Sequence, residues 1–171
     1  MKRLLLLSFV SILFVFLNAF AQDQDIWIEQ EWENEKWNNK FRDIYTYEND
    51  MLSILVFQAW ENGEWENKTR FMHEYDSEGR EISYLIQFHD DQGWYDYMKD
   101  EYFYEDGKLV KYVLWYGGEN HEELEVDSEV IFTYGEDDLL VKKETYRWDM
   151  EEKILYEEST FKYDAKDRQT E

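Results

Sequence analysis

Three histidines, His73, His89 and His121, are the chain's whole supply of imidazole, and it has no cysteine. Thiol nucleophiles and cysteine-ligated zinc are excluded on that ground. No Gly-x-Ser-x-Gly elbow, His-Glu-x-x-His pair or phosphate-cradling glycine loop occurs. His73 stands where equivalent segments carry Tyr45, Tyr102, Phe132 and Phe161, which reads as packing on a strand face. His89 and His121 lie beside turn-forming residues and read as solvated. Carboxylates number 41, so a glycosidase-type pair has ample raw material. None stands out from its copies as such a pair should, so no catalytic residue is assigned and the chain is not expected to be an enzyme.

Calcium needs several converging oxygens. Asp76, Glu78, Glu105, Asp106, Glu136, Asp137 and Asp138 gather in equivalent turns, but without the spacing of an EF-hand loop. They read as turn formers, and no metal site or cofactor is expected. The tryptophans remain. Trp32, Trp37, Trp60, Trp65 and Trp94 recur at one joint of successive segments. In an exposed row they would stack sugar rings or grip an extended partner; in a buried row they would be core, the commoner fate of aromatics at strand spacing. Trp37, Trp60, Trp65 and Trp94 are the candidate ligand-binding residues.

These residues are positioned by an internal repeat. Tyr47, Tyr75, Tyr104, Tyr134 and Tyr163 lie 28, 29, 30 and 29 residues apart. Ten residues before each stand Trp37, Trp65, Trp94, Leu124 and Lys153, so the last two copies have drifted. Trp32-Glu33-Asn34-Glu35-Lys36-Trp37 and Trp60-Glu61-Asn62-Gly63-Glu64-Trp65 are near duplicates, and Trp148 to Lys153 is a degenerate third. Asn-Gly is the strongest short hairpin signal, because a type I′ turn needs positive φ at both central residues. That turn sets Glu61 opposite Glu64 and Trp60 opposite Trp65, a cross-strand aromatic clasp. The turns after the tyrosines, Asp76-Ser77-Glu78-Gly79-Arg80 and Glu105-Asp106-Gly107-Lys108, are also turn chemistry.

Each unit is therefore strand, turn, strand, turn. First-type strands fall near 37–47, 65–75, 94–104, 122–134 and 153–163, and second-type strands near 25–32, 52–60, 80–89, 108–116 and 139–148. The fold class is all-β: an antiparallel meander of about ten strands built from roughly five 29-residue hairpin repeats, left open, coiled or rolled. No stretch after the leader holds a capped helical period. Counted back from the tyrosines, even positions (Phe41, Tyr45, Trp65, Phe71, Trp94, Met98, Tyr102, Val126, Phe132) are mostly apolar and odd ones (Lys40, Arg42, Glu66, Lys68, Arg70, Glu129) mostly charged. Asp43 and Asp100 depart from this on the even side. The pattern predicts one apolar and one solvated face. Leu52 to Phe57 is apolar on both, which calls for a rolled sheet or a partner. The last strand, 153–163, is expected at an edge, its charges blunting aggregation, in a monomer or weak dimer.

Met1-Lys2-Arg3, the apolar run Leu4 to Phe16 and Ala19-Phe20-Ala21 compose a secretory signal peptide, residues 1–21, with a β-repeat domain over 22–171. The run is too short to span a bilayer comfortably, so no membrane span is expected. The product would be secreted or periplasmic. The net charge is −23, or −25 once Lys2 and Arg3 are removed. Such a chain repels nucleic acid and anionic membrane and favours cations or basic partners. An aromatic content of 19% argues against disorder despite that charge. Absent cysteine leaves stability to packing, and absent proline suits long strands.

His73-Glu74-Tyr75-Asp76-Ser77-Glu78-Gly79-Arg80 resembles the tyrosine–aspartate (YD) repeat of Rhs-type and wall-associated bacterial proteins, as does Tyr104-Glu105-Asp106-Gly107-Lys108-Leu109. The resemblance implies hairpin meanders that coil into shells or spirals. The period here is longer, the tryptophan clasp is additional and no toxin-like domain follows Tyr163. Tryptophan-rich secreted repeat proteins of Bacteroidetes look closer still, and exported proteins of that group often end their signal in Ala-Gln, as Ala21-Gln22 does. Together these features predict a non-catalytic extracellular binding or scaffold module, for a polysaccharide through the tryptophans or a basic protein through charge. The alternative is a carbohydrate-active enzyme or glycan-binding protein built on the aromatic row.

Overall fold

The computed structural model describes residues 23–117, 123–149, 152–164 and 168–170. The leader, His121 and the centre of the joint between Trp148 and Lys153 lie outside the described residues. Ten strands follow in chain order: β1 Asp23–Glu33, β2 Lys36–Glu48, β3 Met51–Glu61, β4 Glu64–Tyr75, β5 Glu81–Asp90, β6 Gly93–Glu105, β7 Lys108–Tyr116, β8 Glu125–Tyr134, β9 Leu140–Asp149 and β10 Glu152–Thr160. Their order in the sheet is their order in the sequence, so the protein is an all-β antiparallel meander. The chain divides into two compact units, one of β1 to Met72 with Phe88–Trp94, the other of His73–Gln87 with Tyr95 onward.

The β1–β2, β2–β3 and β3–β4 hairpins are each closed by two residues of positive φ: Asn34 and Glu35 (52° and 64°), Asn49 and Asp50 (52° and 64°), Asn62 and Gly63 (52° and 90°). This is the type I′ geometry whose twist matches that of paired strands. It fixes the register, and Trp60 pairs with Trp65 and Trp32 with Trp37, as the turn chemistry predicts.

The alternation is interrupted where the sequence gives no warning. Gln30 pairs with Asn39 but Glu29 with Phe41, leaving Lys40 as an extra residue; Gln58 pairs with Asn67 but Phe57 with Thr69, leaving Lys68 extra. These are β-bulges, and side chains before a bulge point to the opposite face from those after it in the same count. The expectation that Trp65 shares a face with Tyr75 is therefore corrected. The tryptophans of β2 and β4 occupy one face and the tyrosines the other.

The second unit repeats these devices. Asp127 in β8 and Tyr156 in β10 are extra residues at the corresponding place, as are Val110 in β7 and Val141 in β9 beside the tyrosines, so Val126, too, faces away from Val130 and Phe132. Asp106 and Gly107 close the β6–β7 turn with φ of 48° and 80°. Longer turns run Asp76–Arg80 and Gly135–Leu139, each closed by the first residue's N–H on the last residue's carbonyl, at 2.9 and 2.8 Å, and the Asp164 N–H donates to the Arg168 carbonyl at 3.0 Å. Tyr163 bridges to Gln169 in antiparallel fashion. The tyrosine landmarks reach back along the repeat: Tyr134 donates to the Leu109 carbonyl at 3.0 Å and Tyr163 to that of Leu140 at 2.8 Å. Among the described residues the only buried hydrophobic residues are Ala59, Val113 and Val130, and no side chain is fully enclosed.

The tryptophan face of the first unit

Pairing register and strand alternation define this face. It holds Gln24, Ile26, Ile28, Gln30 and Trp32 of β1; Trp37, Asn39, Arg42, Ile44 and Thr46 of β2; Ile54, Val56, Gln58 and Trp60 of β3; and Trp65, Asn67, Arg70 and Met72 of β4. None of these is a carboxylate; Glu48 and Glu74, near the far ends of β2 and β4, reach the same side by alternation. The carboxylates of the same spans, Asp25, Glu29, Glu31, Asp43 and Glu66, all lie on the opposite face. There Lys40 lies within 4 Å of Glu29 and Glu31, and Lys68 of Glu61 and Glu66.

On the tryptophan face the rings form a ladder of edge-to-face pairs. Trp32 and Trp37 have centroids 5.3 Å apart at 64°, Trp60 and Trp65 5.0 Å at 70°, and His89 and Trp94 4.9 Å at 76°. His89 thus stands where the first two hairpins carry Trp32 and Trp60, correcting its reading as a solvated turn residue. Trp32 and Trp37 are 53% and 41% exposed, whereas Trp60, Trp65 and Trp94 are half-buried. The choice between core and open surface resolves as a gradient along the ladder. Its inner rings are held by arginines from the preceding repeat: Arg42 lies over Trp65 at 4.7 Å and Arg70 over Trp94 at 4.6 Å. Beside the ladder runs a row of amides that sequence reading missed. Gln30 donates to Asn39 at 2.7 Å and Gln58 to Asn67 at 2.6 Å. Arg42 Nε also donates to Gln58 Oε1. The missed signal was the recurrence of Gln30 and Gln58, and of Asn39 and Asn67, at the spacing of the tyrosines. The second unit has its own copy in Gln87 and Asp96.

The second unit also gathers polar groups on its tyrosine face. Asp100, 8% exposed, accepts a 2.7 Å hydrogen bond from Tyr112. Burial pushes its carboxyl above the ordinary range; bonds from Tyr112 and Tyr102 oppose the shift and the Glu81 carboxylate adds to it. Burial, with Asp100 beside it, pushes the Tyr102 phenol up to about 12 and raises Tyr112 as well. Asp43 in the first unit is raised chiefly by burial in the same way. These are the two residues that broke the sequence alternation on its even side. His73 packs on Tyr84 with centroids 4.9 Å apart, and its Nδ1 lies 2.6 Å from Glu81. Among the acidic turns, Asp76 binds the backbone N–H groups of Glu78 and Arg80 and the Arg80 guanidinium. No three His, Asp or Glu side chains among the described residues converge as a metal site.

No protein-family model matches the sequence, and no curated protein matches it. Solved structures do resemble it. A protein of unknown function from Bacteroides fragilis aligns with a TM-score of 0.52 at 11% identity, covering 71% of this chain and 91% of its own. A DUF3836 family protein from Bacteroides vulgatus aligns at 0.42 and 11% identity, over 51% of this chain and 90% of its own. Another from Parabacteroides distasonis gives 0.32 and 18%, over 55% and 73%. The Bacteroides fragilis likeness is one of fold.

Proposed function

We propose that the chain is an exported, non-catalytic binding module whose ligand surface is the tryptophan face of the first unit, and that its ligand is a polysaccharide. One observation carries the reading: a protein of net charge −23 keeps the carboxylates of residues 24–32, 37–46, 54–60 and 65–72 off one face, where indoles and amides stand among aliphatic side chains. Apolar rings with a few oriented polar groups are the usual composition of a ligand surface. Hydrolysis of a glycan needs two flanking carboxyl groups, and beside the Trp32–Trp37 and Trp60–Trp65 pairs the face carries amides at the positions next to the rings, which favours binding over turnover there. A basic protein would be drawn instead to the opposite, acidic face. Among the described residues no helix is long and apolar enough to cross a membrane.

The test is retention of the mature protein on immobilised polysaccharides at low and high salt. Trp32→Ala with Trp37→Ala, both exposed and in one hairpin, should weaken retention at least tenfold with the far-ultraviolet circular dichroism unchanged. Glu31→Gln on the opposite face should leave retention intact. Binding that disappears in high salt, or survives the tryptophan changes, sinks the reading. Export has its own check: the mass of the protein from the extracellular or periplasmic fraction should correspond to a chain starting at Gln22.

A further inference from the structure

Resting on that reading, we infer that the ligand is a neutral glycan bound as an extended chain across the strands, from the β1–β2 hairpin to the tip of β5–β6. Three aromatic pairs mark the path, one for each two strands: Trp32–Trp37, Trp60–Trp65 and His89–Trp94. A single-ring pocket would not need the same pair three times. The path crosses six strands, five intervals of about 4.8 Å or about 24 Å in all, the reach of about five pyranose rings in an extended chain.

The polar groups beside the path suit hydroxyls. Each Gln–Asn pair uses one donor of the glutamine and one lone pair of the asparagine oxygen. The Nδ2 groups of Asn39 and Asn67 make no other hydrogen bond among the described residues and keep both donors for a ligand. The charges point the same way. The two cations on the face are already engaged, Arg42 by Trp65 and Gln58 and Arg70 by Trp94, and they orient the indoles rather than await an anion. The surrounding field of a chain at −23 repels a polyanionic glycan. The glycan that fits is uncharged.

Isothermal titration of the mature protein with β-1,4-linked gluco-, manno- and N-acetylgluco-oligosaccharides of two to six units tests this, with oligogalacturonates of equal length as the anionic comparison. At least one neutral series should gain tenfold or more in affinity from dimer to pentamer and then level off. Trp32→Ala with Trp37→Ala should remove the gain of the longest members and spare the shorter ones. A dimer that binds as tightly as a hexamer, tighter binding of galacturonate, or a retained polysaccharide with no affinity in any neutral series overturns the inference while leaving a glycan-binding module. Retention of no polysaccharide at all overturns the module and the inference together.

Discussion

Glu129 and Lys153 form an ion pair at the two repeat positions that Arg42 and Trp65, and again Arg70 and Trp94, fill with a cation on an indole. The first member stands five residues before its tyrosine, the second ten before the next. Where tryptophan has become lysine, the facing arginine has become glutamate, so the contact between successive repeats survives with its polarity reversed. In the third copy Lys99 would face Leu124; it binds Glu101 instead, at 2.7 Å. Exposed ion pairs and exposed cation–π contacts are each worth about 0.5–1 kcal/mol. In a double-mutant cycle, Glu129→Arg and Lys153→Trp should each destabilise alone, and together should recover a coupling of about that size. Chemical denaturation measures it, and strict additivity would show that the two positions do not act as a pair.

The hairpin tips give opposite expectations for one kind of change. Gly63 has φ of +90° and open space where a Cβ would stand, so Gly63→Ala is opposed by backbone strain alone and should cost about 1 kcal/mol. Glu35 holds the same turn position with φ of 64°, so Glu35→Gly should stabilise by a similar amount, about 1 kcal/mol. In a chain of this size that is a shift of about 2–4 °C in Tm, downward for the first and upward for the second.

Asp100 sets a pH dependence of definite sign. Its folded pKa lies above its unfolded value, chiefly through burial, so the protonated form is the stabilising one. That contribution is present below the ordinary value of 3.8 and is lost as pH rises through the folded value. Asp100→Asn keeps an oxygen to accept from Tyr112 and removes the charge. Its Tm should exceed that of the parent at pH 7, and the advantage should shrink as the pH is lowered into the carboxylate range. An advantage constant with pH would locate the effect elsewhere.

The hairpins were legible because turn residues carry their own chemistry: Asn62-Gly63 fixes a register by itself, and the tyrosine spacing counts the repeats. The faces were not. Lys40 and Lys68 are bulge residues without a glycine or proline to mark them, and because Asp127 and Tyr156 repeat the insertion seven residues before their own tyrosines the period is undisturbed. Strand parity counted from Tyr47 and Tyr75 therefore holds only as far as Phe41 and Thr69, and beyond them the tryptophans change sides. The same slip hid the segregation of carboxylates beside the tryptophan pairs, since Glu66 and Trp65 exchange places when one residue is miscounted. Asp43 and Asp100, which looked like noise on the apolar side, are on that side, with phenolic partners that a sequence cannot display.

Because every strand pairs only with its neighbours in the chain, the molecule has no step in its assembly that waits on a distant partner. Hairpins of this kind close locally and then dock to the next, the low-contact-order regime in which β proteins fold fastest. The repeat is also a unit of growth. Excising residues 52–80 would join Met51 to Glu81 at equivalent points of two copies, so a gene encoding this chain can lengthen or shorten the protein by whole hairpins without rewriting any contact.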